Sequence, residues 1–182
     1  MANAIGVVEF TSIARGIYAA DQMVKISDVE ITTASSTCPG KYIAVVHGDV
    51  AAVQDSVETG ERVAKEYFVD SLIIPNVSST LFPAIAGTTM PERIDALGII
   101  ESFSIATMIL AADAVLKTAN VEAIELRLGN GLGGKAFFTY TGDVDAVKTS
   151  TEAGKAIAKE KGLLVNAEVI SSVSERLISS LY

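Results

Sequence analysis

Apolar runs and helical spacings alternate along the chain. Short runs rich in β-branched residues indicate strands, and they fall near residues 4–10, 29–37, 42–47 and 69–75. Two stretches between them carry apolar residues at helical spacing, namely Ile13, Ile17, Ala20 and Val24, then Val50, Val53 and Val57 up to about Tyr67. Cys38, Pro39 and Gly40 separate the second and third strands, because Pro and Gly are disfavoured inside central strands. The pattern predicts the order β-α-β-β-α-β.

The same pattern occurs twice. Residues 4–30 align with 96–122 at an offset of 92, and residues 40–66 align with 134–160 at an offset of 94, each with 13 of 27 positions identical. Strands are therefore expected again near 96–102, 121–129, 136–141 and 163–170. This duplication predicts an α+β protein of two ferredoxin-like (βαββαβ) units, each an antiparallel sheet with both helices on one face.

The predicted domains are residues 1–92, with a linker tail, and residues 93–182. Pro83, Gly87 and Pro91 mark residues 76–95 as the tail of the first unit and a linker. The segment 173–182 is expected to form a matching short C-terminal helix.

The amino-acid composition and net charge indicate which kinds of binding partner to expect. Hydrophobic residues make up 49% of the 182 residues and charged residues only 20%, so apolar surface remains after both cores are filled, which favours an oligomer. The net charge of -8 and the lack of Lys/Arg clusters argue against nucleic acid. The most apolar stretch, 105–116, is too short to cross a membrane and contains Asp113, and the start MANAIGVVEF lacks signal-peptide features. We therefore expect a cytosolic protein that binds neither nucleic acid nor membrane.

One glycine-rich motif imitates a nucleotide site. Residues 129–135 (GNGLGGK) satisfy the dinucleotide pattern G-x-G-x-x-G and most of the P-loop pattern. Both patterns place phosphate at the start of a following helix, whereas residues 136–141 (AFFTYT) are strand-like. The P-loop also needs Ser or Thr after the lysine, where this chain has Ala136. We interpret the motif as a glycine-rich hairpin.

Cys38 occupies the corresponding turn of the first repeat. A lone cysteine is most often a small hydrophobic residue, but this one lies in a turn and precedes a proline, as the last cysteine of bacterial ferredoxin ligand runs does. One thiolate per chain cannot hold a cluster. Three chains around a symmetry axis would bring three thiolates together, so metal binding would depend on oligomerisation.

The other candidate residues have simpler interpretations. His47, the only histidine, is expected to be structural, because no second histidine or carboxylate lies at ligand spacing. Lys25 and Lys117 each follow an aspartate by four residues on a helix, which predicts a weak ion pair on a solvated face. No Ser-His-Asp or Cys-His arrangement is placed for nucleophilic catalysis, so we do not predict an enzyme.

The segments AIGVVEFTSIARGIYAADQMVK and TCPGKYIAVVHGDVAAVQDSVETG, with their copies, resemble bacterial microcompartment shell proteins of the tandem-domain trimeric class. Each half begins with A-[IL]-G-x-[VI]-E, which identifies the non-permuted type, closest to its propanediol-utilisation members. The resemblance implies a homotrimer whose six domains imitate a hexagonal tile. Such tiles pack with other shell proteins into the microcompartment shell, within the cytoplasm.

The resemblance also implies roles for particular residues. Cys38 matches the position that holds a [4Fe-4S] cluster, one per trimer, with one cysteine from each subunit, and Lys25 and Lys117 match lysines at the tile edge. The turn between the second and third strands is the pore loop in this family. The pore-loop residues besides Cys38 are Thr37, Pro39, Gly40, Gly131, Leu132, Gly133 and Gly134.

Three functions remain open at this point. The first is a shell tile that relays electrons across the shell, with an encapsulated or cytosolic redox enzyme as a possible partner. The second is the same tile with a metabolite-conducting pore in which Cys38 has no role. The third is a soluble redox or ligand-binding enzyme built on duplicated ferredoxin-like domains.

Overall fold

The computed structural model describes residues 4–179, which divide into two compact units. The first unit comprises the chain up to Ser79 together with Gly129–Gly134, and the second comprises Thr80–Leu128 and the chain from Lys135 onward. The loop of the second repeat thus belongs to the unit formed by the first repeat. The domain boundary between residues 92 and 93 stays a prediction.

Each unit is a four-stranded antiparallel sheet with two helices packed against it. The first has the strand order β2-β3-β1-β4 and the second β6-β7-β5-β8. The elements of the first unit are β1 (Ala4–Phe10), α1 (Ile13–Ile26), β2 (Val29–Thr37), β3 (Lys41–Gly48), α2 (Val50–Ala64) and β4 (Phe68–Pro75). Those of the second unit are α3 (Leu81–Ala86), β5 (Ala96–Ser102), α4 (Ile105–Thr118), β6 (Val121–Arg127), β7 (Ala136–Gly142), α5 (Val144–Glu160), β8 (Leu164–Ile170) and α6 (Glu175–Ile178). The predicted duplicated βαββαβ fold is confirmed.

Matching serines begin helices α1 and α4, which occupy the same place in the two repeats. The Ser12 hydroxyl accepts a hydrogen bond from the Arg15 amide at 3.2 Å, and the Ser104 hydroxyl accepts one from the Thr107 amide at 3.1 Å. Each cap satisfies an amide that has no partner within its helix. The aligned serines therefore fix where both helices start.

The observed elements differ from the expectations in places. The linker contains a helix, α3, that the sequence analysis missed. Pro83 is tolerated there because it lies in the first turn, where its missing N–H has no intrahelical acceptor, and Gly87 ends the helix in the left-handed conformation (φ 63°). Strand β6 ends at Arg127, two residues early. Helix α6 is shorter than predicted, and residues 180–182 lie outside the described part.

In the core of the second unit, Gly98 lies directly against the ring of Tyr140. An ideal Cβ built on Gly98 would lie 2.4 Å from the Tyr140 ring. That ring is fully buried, its hydroxyl lies 2.5 Å from the Thr151 hydroxyl, and burial raises the pKa of Tyr140 to about 12. The ring has no space to retreat, so position 98 must stay without a side chain.

Gly98→Ala is expected to lower the free energy of unfolding by about 2–4 kcal/mol, because a methyl group would overpack this core. The denaturant midpoint measures the change. Gly131→Ala is the control: it strains a left-handed residue (φ 74°) but meets nothing within 4 Å, so it should cost only about 1 kcal/mol. Equal midpoints for the two variants would contradict the steric explanation.

No helix within residues 4–179 is long and apolar enough to cross a membrane.

Candidate metal and pore site

Cys38 lies in a three-residue turn at the end of a hairpin. Strands β2 and β3 pair up to Thr37 and Lys41, and Cys38, Pro39 and Gly40 connect them. The Gly40 amide donates to the Thr37 carbonyl at 3.0 Å, and Gly40 has a φ of 90°, a conformation that favours glycine. Cys38 is partly buried and forms no disulfide, whereas Pro39 and Gly40 are exposed. The hairpin therefore presents the thiol at its tip.

The glycine loop between β6 and β7 packs on this turn within the first unit. The Cys38 amide donates to the Gly129 carbonyl at 3.3 Å. An ideal Cβ on Gly134 would lie 3.2 Å from Pro39 Cδ and 3.6 Å from the Cys38 carbonyl oxygen. The loop is followed by strand β7, whereas the nucleotide-binding motifs that it resembles are followed by a helix.

The rest of the loop is more open. Gly131 and Gly133 are exposed and Leu132, the residue aligned with Cys38, is partly buried. A Cβ added at Gly131 or Gly133 would meet nothing within 4 Å. These predicted pore-loop residues therefore leave free space around them in the chain.

Beside the turn of each hairpin lies an ion pair that was not predicted from the sequence. Lys41 Nζ lies 3.5 Å from Glu9 Oε2, and Lys135 Nζ lies 2.5 Å from Glu101 Oε1. The available signal was that both the glutamate and the lysine are identical in the two repeats. The pairs tie the first residues after each turn to the central strands β1 and β5.

Cys38 is a single potential metal ligand in its turn. Among the described residues, no three His, Cys, Asp or Glu side chains come together in a way that could hold a metal ion. The partly exposed thiol at the tip of a turn nevertheless suits a shared ligand, because thiolates bind iron and the tip is accessible. The chain supplies one such donor.

His47 contacts two side chains of a neighbouring strand. Its Nδ1 lies 2.8 Å from the Thr32 hydroxyl, and its Nε2 lies 3.6 Å from Glu30 Oε2. Both partners lie on the neighbouring strand β2. The imidazole thus fastens the edge strand to β3.

The two predicted edge lysines lie in the last turns of α1 and α4, on different elements from the loops. Lys25 Nζ is 2.6 Å from Asp21 Oδ2, and Lys117 Nζ is 2.6 Å from Asp113 Oδ2. The hydrogen bond from Lys25 lowers the pKa of Asp21. Asp113 differs from Asp21 in burial, since its side chain is 6% exposed against 47%.

An apolar surface on the first unit has no exposed counterpart on the second. Ile17 is 55% exposed, whereas the aligned Ile109 is fully buried, and Ile13 and Ile105 differ in the same way. Two tyrosines extend this surface on either side of Arg15. We call it the α1 patch, and it consists of Ile13, Ile17, Tyr18 and Tyr67.

Comparisons with known proteins agree with this architecture. The BMC domain family matches the chain twice, over residues 4–77 and 96–173. The chain is 39% identical to the bacterial microcompartment shell protein PduT of Citrobacter freundii, over 97% of this chain and 96% of that protein. It is 30% identical to the carboxysome assembly protein CcmO of Synechococcus elongatus, over 99% of this chain and 69% of CcmO. A crystal structure of a microcompartment protein from Desulfitobacterium hafniense superposes with a TM-score of 0.93 at 49% identity, covering 97% of this chain and 98% of that one.

Proposed function

Because the chain belongs to the BMC-domain family of bacterial microcompartment shell proteins, with two such domains in tandem, we propose that three copies form one tile and share a [4Fe-4S] cluster at Cys38. The single observation that carries the cluster is a lone, partly exposed thiol at the tip of the first hairpin, in a loop that a second loop packs against. The relatives of the chain are named as shell and assembly proteins, which supports a structural rather than an enzymatic role.

The α1 patch supports the trimer. Aligned sequences that fold alike should bury the same positions, yet Ile13 and Ile17 are exposed where Ile105 and Ile109 are buried. Covering this patch with a second copy would give both repeats the same environment. A head-to-tail contact of this kind closes into a ring when the rotation allows it, and three chains would supply six domains.

The number of thiols in a trimer and the position of Cys38 both support the proposed cluster. Three chains contribute three thiols, and the aligned Leu132 adds none, so a ring of six loops would present three thiolates. When bound, a [4Fe-4S] cluster can accept and release one electron, with a potential set by its exposure and hydrogen bonds. The tile would then relay electrons through the shell to an encapsulated or cytosolic redox enzyme.

One observation favours a second function, the same tile with a metabolite-conducting pore. Gly131 and Gly133 have no heavy atom within 4 Å of an added Cβ, so this loop leaves space for solute. A cluster bound at Cys38 would occupy the pore and exclude that function. Iron content therefore separates the two.

Anaerobic purification followed by iron, sulfide and EPR measurements tests the proposal. We expect about four iron and four sulfide per three chains, and native mass spectrometry should give a trimer of the 19.0 kDa chain. A trimer without iron would leave the metabolite-conducting tile. A monomer would contradict both functions.

Lys25→Ala is expected to prevent trimers from associating into sheets while leaving the trimer intact, since the lysine side chain is 66% exposed and its ion pair with Asp21 lies on the surface. Electron microscopy at the concentration where the unmodified protein forms sheets measures the effect. Lys148→Ala, which removes an exposed lysine from α5, is the control and should still form sheets. Sedimentation that shows loss of the trimer itself would contradict an edge role.

Lys117→Ala is expected to affect assembly in the same way but also to lower stability. Its partner Asp113 is only 6% exposed, and removing the ammonium from a buried carboxylate costs about 1–3 kcal/mol. Lys25 is therefore the cleaner test of the tile edge.

A further inference from the structure

We infer that the two ends of the glycine loop, Gly129 and Gly134, position Cys38, and that Gly134 is the end at which an added side chain would displace it. The inference deepens the proposed function, because it concerns the residue proposed to hold the cluster. It is nevertheless tested on the thiol itself, in metal-free protein, so that it does not depend on the cluster being present.

Two contacts hold the cysteine turn from outside its own hairpin. The first is the hydrogen bond from the Cys38 amide to the Gly129 carbonyl, at 3.3 Å. The second is the close approach of Gly134 to the turn, where an ideal Cβ built on Gly134 would lie 3.2 Å from Pro39 Cδ and 3.6 Å from the Cys38 carbonyl oxygen. Within the hairpin, the bond from the Gly40 amide to the Thr37 carbonyl closes the turn but does not involve Cys38. The orientation of Cys38 thus depends on the glycine loop.

Position 134 strongly favours glycine. A Cβ there would lie 3.2 Å from Pro39 Cδ, which is closer than an ordinary van der Waals contact, and Gly134 has a φ of 91°, a conformation that L side chains rarely adopt. An added methyl group would push Pro39, and with it the peptide of Cys38, by a few tenths of an ångström. A ligand that must meet two others at one metal tolerates little displacement of this kind.

Gly131 provides a matched comparison in the same loop. It also has a left-handed conformation, with a φ of 74°, but an added Cβ would have nothing within 4 Å. Alanine at either position strains the backbone, and only alanine at 134 presses on the cysteine turn. The difference between the two variants isolates the contact.

The experiment compares Gly134→Ala and Gly131→Ala as full-length, metal-free trimers. Alkylation of Cys38 by iodoacetamide at fixed pH is expected to be at least about fivefold faster in Gly134→Ala, because a displaced turn exposes the thiol, and close to the unmodified rate in Gly131→Ala. After anaerobic reconstitution with iron and sulfide, Gly134→Ala should bind less than half the iron and show altered EPR g values. Gly131→Ala should match the unmodified protein.

Equal alkylation rates in the two variants would overturn the inference. If Gly134→Ala does not form a trimer, the two glycine variants are compared again in the Ile17→Glu background, in which both chains are expected to be monomers; equal alkylation rates there would overturn the inference as well. If the unmodified protein binds no iron while the alkylation rates differ as expected, the positioning inference is supported and the cluster proposal fails.

Discussion

Replacing Cys38 by alanine is expected to remove all iron and sulfide from the anaerobically purified trimer. The chain contains one cysteine, and no three His, Cys, Asp or Glu side chains among the described residues form an alternative metal site. Without Cys38, each chain therefore loses its only thiolate donor for iron. Iron and sulfide should fall from about four each per trimer to background, and the EPR signal of the reduced protein should disappear.

Leu132→Ala is the matched control, because Leu132 aligns with Cys38 in the loop that carries no thiol. It should retain the full iron content. Both variants should remain trimeric, since the alanine at 38 replaces a partly buried side chain at the tip of a turn and not one in a core. Iron retained in the Cys38→Ala protein at the level of the unmodified one would rule out Cys38 as the ligand.

Local signals in the sequence were sufficient for most of the fold. Apolar spacing located the eight strands and the four long helices, and the two aligned segments required both units to have the same topology. The sequence analysis missed α3, because Pro83 and Gly87 were interpreted as linker signals. The same two residues fit the first turn and the end of a short helix, and packing of α3 against β6 and α4 decides between the two possibilities.

The candidate site was predictable only in its parts. The turn at Cys38 and the glycine loop could be predicted from their turn-forming Pro and Gly residues. Their contact could not, because the Gly129 carbonyl and the Gly134 Cα lie about 90 residues away along the chain and carry no side-chain signal. The ion pairs of Glu9 with Lys41 and of Glu101 with Lys135 join different strands, so no local spacing reveals them.

Identical residues in the two repeats can differ in burial, and only the structure reveals this difference. The alignment shows that Ile17 and Ile109 are the same residue in the same place, which by itself predicts the same environment. The structure shows one exposed and the other buried. The two units therefore differ in the exposure of aligned residues as well as in their loops, and in the proposed trimer the exposed member marks the surface that another copy would cover.

Ile17→Glu is expected to dissociate the trimer into monomers that remain folded. A carboxylate at the centre of the α1 patch would have to be buried without a partner in every contact between subunits, which costs several kcal/mol for each contact. The monomer should lose at most about 0.5 kcal/mol of unfolding free energy, because the side chain is already 55% exposed there. Sedimentation velocity and native mass spectrometry measure the change, with 19.0 kDa expected in place of three times that mass.

Ile26→Glu is the matched control for this prediction. Ile26 lies on the same helix and is also 55% exposed, but its counterpart Thr118 is exposed as well, so this position has no burial difference that calls for a partner. The Ile26→Glu protein should stay trimeric. Dissociation by both substitutions would show that charge on α1, and not the α1 patch, controls assembly, whereas an intact trimer in Ile17→Glu would mean that the subunits meet through another surface.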